Sequence, residues 1–148
     1  MKPKWWNKSK RQLRKRDRVM KKLLTVYKGH LTTRNNFFYS LTRSITSQQI
    51  SVSAADSVFS KFEKKCKGKI NPKIVSRLTI RDIRRCGLSR MKALGIKSLA
   101  DKILDKSFNP KLIKKMSDEE AINYLSSLRQ IGRWSSEMVL IFFYNRPN

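Results

Sequence analysis

Cysteine is scarce in this chain of 148 residues: Cys66 and Cys86 stand far apart, and neither has a CxxC partner. That excludes a disulfide framework and leaves no zinc or iron–sulfur spacing, so no metal centre or cofactor of that kind is expected. Acids are scarce too. Asp and Glu together number 10 against 35 Lys and Arg, His30 is the lone histidine, and the formal net charge is +25. No apolar run approaches the length that crosses a bilayer, and the opening "MKPKWWNKSKRQLRKRD" lacks the apolar core of a secretory leader. The expectation is a cytoplasmic protein without a membrane partner, associated with the nucleoid if bacterial.

The excess of cations runs along most of the chain, so the partner it favours is a polyanion, nucleic acid first among them. Solubility alone, or association with a ribosome, would also account for it.

Strand alternation is almost missing, and Pro72, Pro110 and Gly87 stand where helices start and stop. Trp6, Leu13, Met20, Leu24 and Tyr27 share one face of "WWNKSKRQLRKRDRVMKKLLTVY", with Asp17 placed to cap a fresh start midway. Asn35 or Asn36 opens the next helix, with Phe38, Leu41 and Ile45 on its apolar side. Ser51 caps another that carries Val52, Ala55, Val58, Phe59 and Phe62. Asn71-Pro72 and Asn109-Pro110 each announce a short helix with proline at its first position. Thr79 with Asp82, and Ser117 with Glu120, read as capping boxes. Ser89 caps "RMKALGIKSLADKIL", and an apolar helix runs from about Trp134 to Tyr144. The chain is long enough to bury a core and reads as one compact all-α domain over 1–148.

One stretch of that domain, "LRQIGRWSSEM", joins two helices by a short turn around Gly132, which leaves the amides of the second helix free to hold a phosphate. "LTRSITSQQISVSAADSVFSKF", "IRRCGLSRMKALGIKSLA", "MSDEEAINYLSSL" and "LRQIGRWSSEMVLIF" follow one another in the order of the helix-hairpin-helix DNA glycosylases. The chain resembles their 3-methyladenine DNA glycosylase II branch from about Trp5 onward.

The resemblance implies a two-lobed bundle with a helix-hairpin-helix motif at about 118–144. It implies double-stranded DNA with alkylated bases as partner, a monomeric protein, and base-excision repair by hydrolysis of an N-glycosidic bond. Gln130, Ile131 and Gly132 would form the hairpin tip, with Arg133 and Ser135 beside it on DNA. A monovalent cation held by hairpin carbonyls belongs to the same picture. Here Gln130 replaces the usual first glycine, which puts a side chain where a positive φ is expected. Trp134 would be the wall on which an extruded base stacks, with Met138 one turn later beside it; an ordinary core tryptophan is the other reading.

Because Trp134 stands where lyase branches carry a Schiff-base lysine, the resemblance implies a monofunctional enzyme. Gln48 and Gln49, at a tip between helices, are wedge candidates for the gap left by the flipped nucleotide, with Gln49 preferred; two solvated turn residues are the alternative. The catalytic aspartate of the branch lies past the position of Asn148, with its closing helices. Trp5, Trp6, Phe142 and Phe143 are accordingly expected to stand uncovered. Glu137, one turn after Trp134, is the weak substitute acid. Two functions stay open: a glycosylase, nearly inactive as these 148 residues, or a catalytically dead DNA-binding remnant.

Overall fold

A computed structural model describes residues 2–147 of the chain. Among the described residues the chain forms nine α-helices and one 3-10 helix, with no strand. They are α1 (Trp6–Arg16), α2 (Arg18–Val26), α3 (Phe37–Ser47), α4 (Val52–Lys65), α5 (Pro72–Ser76), α6 (Ile80–Arg84), α7 (Arg90–Leu104), α8 (Asp118–Ser126) and α9 (Arg133–Phe142), with the 3-10 helix Pro110–Lys115 between α7 and α8.

Local side chains fix most of the starts. From α2 to α8 every helix begins on a side-chain oxygen: Asp17, Asn36, Ser51, Asn71, Thr79, Ser89 and Ser117 in turn. Thr79–Asp82 and Ser117–Glu120 close full capping boxes. The second proline-led segment differs from expectation. Pro110–Lys115 winds as a 3-10 helix, because Asn109 caps the amide of Lys111, two residues on, where Asn71 caps Ile74, three residues on.

α3 and α7 are the pillars of the bundle. α7 packs on α3, α5 and α6, while α3 also packs on α4 and α9. Leu41, Ile45, Phe62, Val75, Ile83, Ile96, Ile113 and Leu125 are fully buried between them, each worth about 1.5–3 kcal/mol in transfer from water. Tails are tied into this frame by polar contacts. Arg146 pairs with Asp118 and donates to the carbonyls of Ile113 and Met116, both at 2.7 Å.

The apolar face expected along the first two helices is not buried. α1 and α2 pack on each other, no residue of either is buried, and Val26 and Tyr27 are 71% and 68% exposed. The aromatic residues expected to stand uncovered are mostly half-buried instead. Trp5 and Trp6 lie 5.8 Å apart between ring centres, and Phe143 packs edge-on to Phe37; of the four, Phe142 alone is exposed. Trp5 Nε1 also donates to the carbonyl of Asn145 at 2.6 Å, which gives the ring a polar reason to stay.

Candidate nucleic-acid interface

The turn between α8 and α9 is a hairpin whose inner side is nailed down while its outer side is open. Ile131 is buried, and Ser136 Oγ donates to the carbonyl of Gly132 at 3.0 Å and meets Ser126 Oγ at 3.2 Å. Gln130 sits at φ +68, a left-handed conformation that suits glycine better than a residue with a side chain. Unlike α2 to α8, α9 has no side-chain cap: Gly132 is its first residue outward and contributes only backbone. The first-turn amides therefore face solvent at the positive end of the helix, the arrangement that receives a phosphate. A Cβ placed on Gly132 would meet nothing within 4 Å, so the surface here is free for a partner.

Trp134, in that first turn, is 67% exposed and so is not a core residue. It stands at a cavity of about 380 Å3 that Met138, Val139, Gln48, Gln49, Val52 and Arg34 also line. The cavity is walled by α9 on one side and by α3 with the start of α4 on the other. Arg43, in the same wall, is paired with Asp56 and lies 4.8 Å over the ring of Phe59, which offsets its charge. Among the described residues neither a carboxylate nor a lysine lines this cavity.

The two glutamines of the α3–α4 turn part company. Gln48 Nε2 donates to the carbonyl of Gln130 at 2.8 Å and reaches Ser135 Oγ at 3.5 Å, so its amide is bound to the hairpin. Gln49, at φ +56, is exposed at the cavity rim. Of the pair, Gln48 is held by these bonds and Gln49 stands exposed. Below the turn, Lys92 Nζ donates to the carbonyls of Thr46 and Gln48 at 2.9 and 2.6 Å, closing the end of α3; burial pushes its pKa down. Gly95 on α7 also comes so close to Gln130 that an added Cβ would stand 2.9 Å from its Cγ; neither this approach nor the bonds of Lys92 had any signal in the sequence, since both join residues far apart in the chain.

Arg133 and Glu137 do not act alone. The Arg133 guanidinium grips Glu119 through two nitrogens, at 2.6 and 3.1 Å, and donates Nε to Glu137 at 3.0 Å. These bonds hold the Glu119 carboxyl below its usual range and the Arg133 pKa above its own. Glu137 thus faces Arg133, outside the cavity lining. Arg133 in turn carries a charge already compensated on the surface beside the hairpin. His30 is exposed, belongs to the stretch that leads from α2 to α3, and does not line the cavity.

The model of the HhH-GPD superfamily of base excision DNA repair proteins matches residues 42–146, which include the hairpin and most of the cavity lining. The chain belongs to that superfamily. Its relatives include the alkylbase DNA glycosidase-like protein mag2 of Schizosaccharomyces pombe, 33% identical over 113 residues, 74% of this chain and 53% of the relative. DNA-3-methyladenine glycosylase 1 of the same organism is 32% identical over 114 residues, 75% of this chain and 50% of that protein. The chain spans about half the length of these curated relatives. Among solved structures, the 3-methyladenine DNA glycosylase of that yeast in complex with abasic DNA superposes with a TM-score of 0.80 at 28% identity, covering 94% of this chain and 71% of that one. The hairpin and Trp134 lie within the matched residues, and among the described residues no carboxylate lines the cavity beside them.

Proposed function

We propose that this chain is the DNA-gripping and base-extruding part of a monofunctional glycosylase that removes alkylated purines from duplex DNA. The observation that carries the reading is Trp134: a large aromatic face, 67% exposed, standing in the first turn of the uncapped helix and at the mouth of a cavity. Buried tryptophans stabilise cores, whereas an exposed one beside a phosphate site is placed to stack a base taken out of the helix. The hairpin amides would hold a phosphate of the lesion strand, Gln49 would fill the gap, and Gln48 would keep the two at a fixed separation. Any monovalent cation at the hairpin would draw on carbonyls such as those of Leu128 and Gln130. Each already accepts one hydrogen bond and keeps a second lone pair.

Chemistry at the sugar asks for more. An alkylated purine leaves readily because it carries positive charge, and the enzyme then stabilises the cation that develops on deoxyribose, which a carboxylate does best. No lysine lines the cavity for a Schiff base, and no carboxylate lines it either, among the described residues. Residues 1–148 therefore bind and present the base, and an acid from outside them would be needed for efficient release. The same observation favours a second reading, a non-catalytic DNA-binding protein.

The test is release of 3-methyladenine from methylated duplex by the 148-residue chain and by its Glu137→Gln variant, beside binding of an abasic duplex. We expect trace release at the same rate from both, a hundredfold or more below a complete enzyme, with abasic-site binding intact. Fast release that Glu137→Gln abolishes would overturn the reading of the cavity, and lack of any preference for abasic over intact duplex would overturn the reading as a whole.

A further inference from the structure

Helix α1 lies before the residues that the superfamily model covers and has no part in the cavity. It carries Lys8, Lys10, Arg11, Arg14, Lys15 and Arg16 and not one acid, and none of its residues is buried. Every ion pair among the described residues lies farther along the chain, from Arg43–Asp56 to Arg146–Asp118, so none of these six cations has a carboxylate partner. Arg43, Arg133 and Arg146 are each offset by a carboxylate; the cations of α1 are not.

Their spacing is ordered. Lys8, Arg11 and Lys15 recur at three and four residues and so fall on one stripe, and with Gln12 and Arg14 they line a shallow groove along the helix. From Lys8 to Lys15 the stripe rises about 10 Å, and duplex DNA places a phosphate on each strand about every 3.4 Å of axis. About three phosphates fit beside it. The helix is also held in place: Trp5, at its start, is bonded to the carbonyl of Asn145, just beyond the end of α9. The hairpin is at the other end of α9, ten residues away, which is about 15 Å. A duplex seated on the hairpin extends farther than that in both directions.

Resting on the reading above, we propose that the α1 stripe is a second, sequence-independent contact for duplex DNA, taking phosphates that flank the nucleotide held at the hairpin. Its contribution is to affinity and reach and not to the choice of damaged site, which belongs to the hairpin and cavity. The salt dependence of binding separates the two.

The experiment measures the dissociation constant of the full chain for an intact and an abasic duplex of about 25 base pairs between 50 and 300 mM salt. Three further proteins run beside it: a Lys8→Ala, Arg11→Ala, Lys15→Ala triple; a Lys64→Ala, Lys67→Ala, Lys69→Ala triple, exposed where α4 ends, at the far end of that helix from the cavity; and Gly132→Val. Each phosphate contact contributes about 0.9 to the log–log slope. We expect the α1 triple to lower the slope by about 2–3 with its abasic preference intact, the α4 triple to lower it by less than 1, and Gly132→Val to erase the preference with the slope nearly kept. An unchanged slope in the α1 triple, or equal losses in both triples, would overturn the proposal. A full chain that binds duplex without preferring the abasic site would instead sink the glycosylase reading and leave the α1 result to be judged on its own slope.

Discussion

Gly95 on α7 lies directly beneath Gln130 of the hairpin: a Cβ built on Gly95 would stand 2.9 Å from Cγ of Gln130 and 3.1 Å from the carbonyl of Arg129. The hairpin carries a side chain at a φ of +68, and it does so because the helix behind it has given up its own.

Gly95→Ala should accordingly be destabilising despite alanine's better helix propensity, by about 1–3 kcal/mol, as overpacked sites are. Gln130→Gly removes the side-chain half of the clash and relieves the positive φ, so the double variant should recover much of the loss. Urea unfolding of the four proteins in a double-mutant cycle checks it; additive losses would show that the two positions do not press on each other.

Trp134→Ala should leave stability within about 0.5 kcal/mol, as substitution at exposed sites does. Binding to a duplex carrying 1,N6-ethenoadenine should weaken by about 1–3 kcal/mol through lost stacking, with the fluorescence of the extruded base reduced. Unfolding curves and a fluorescence titration give the two numbers. A large stability loss with unchanged extrusion would make Trp134 a structural residue.

Cys66 is fully buried, and burial pushes its thiol up from 9.0 to about 11; Cys86 is shifted the same way. A raised folded-state pKa means that the native state keeps its proton where the unfolded chain has lost it. The associated stability is present in full below pH 9 and is lost as pH climbs to about 11, a swing of about 2–3 kcal/mol. Cys66→Ala should flatten that alkaline limb. Native protein at pH 8 should also react slowly with a thiol reagent; rapid labelling would contradict the burial.

Helix starts were open to reading from the sequence because each depends on one oxygen two or three residues ahead of an amide: Asp17, Ser51, Thr79, Ser89 and Ser117 all announce themselves locally. What distinguishes Gln48 from Gln49 could not be read that way. The partner of Gln48 is a carbonyl 82 residues off, and only the folded chain brings it within 2.8 Å. Glu137 gives the same lesson in reverse. Its position one turn after Trp134 was visible, and its pairing with Arg133 is an i,i+4 contact within α9, but the hold of Glu119 on the same guanidinium depends on how α8 meets α9. The exposed face of α1 and α2 failed for a related reason: periodicity says which residues share a side, and not whether anything covers it.

The bond between Trp5 and the carbonyl of Asn145 spans 140 residues and turns the path of the chain into a nearly closed ring. Joining those two regions by a short covalent bridge would constrain almost nothing that folding has not already constrained, so a circularly permuted form reopened in the exposed stretch around Gly29 should fold to the same bundle. Anything attached at residue 5 or at residue 145 arrives at one address, the length of α9 away from the hairpin. The hairpin and the point of attachment are thus kept at opposite ends of a single helix.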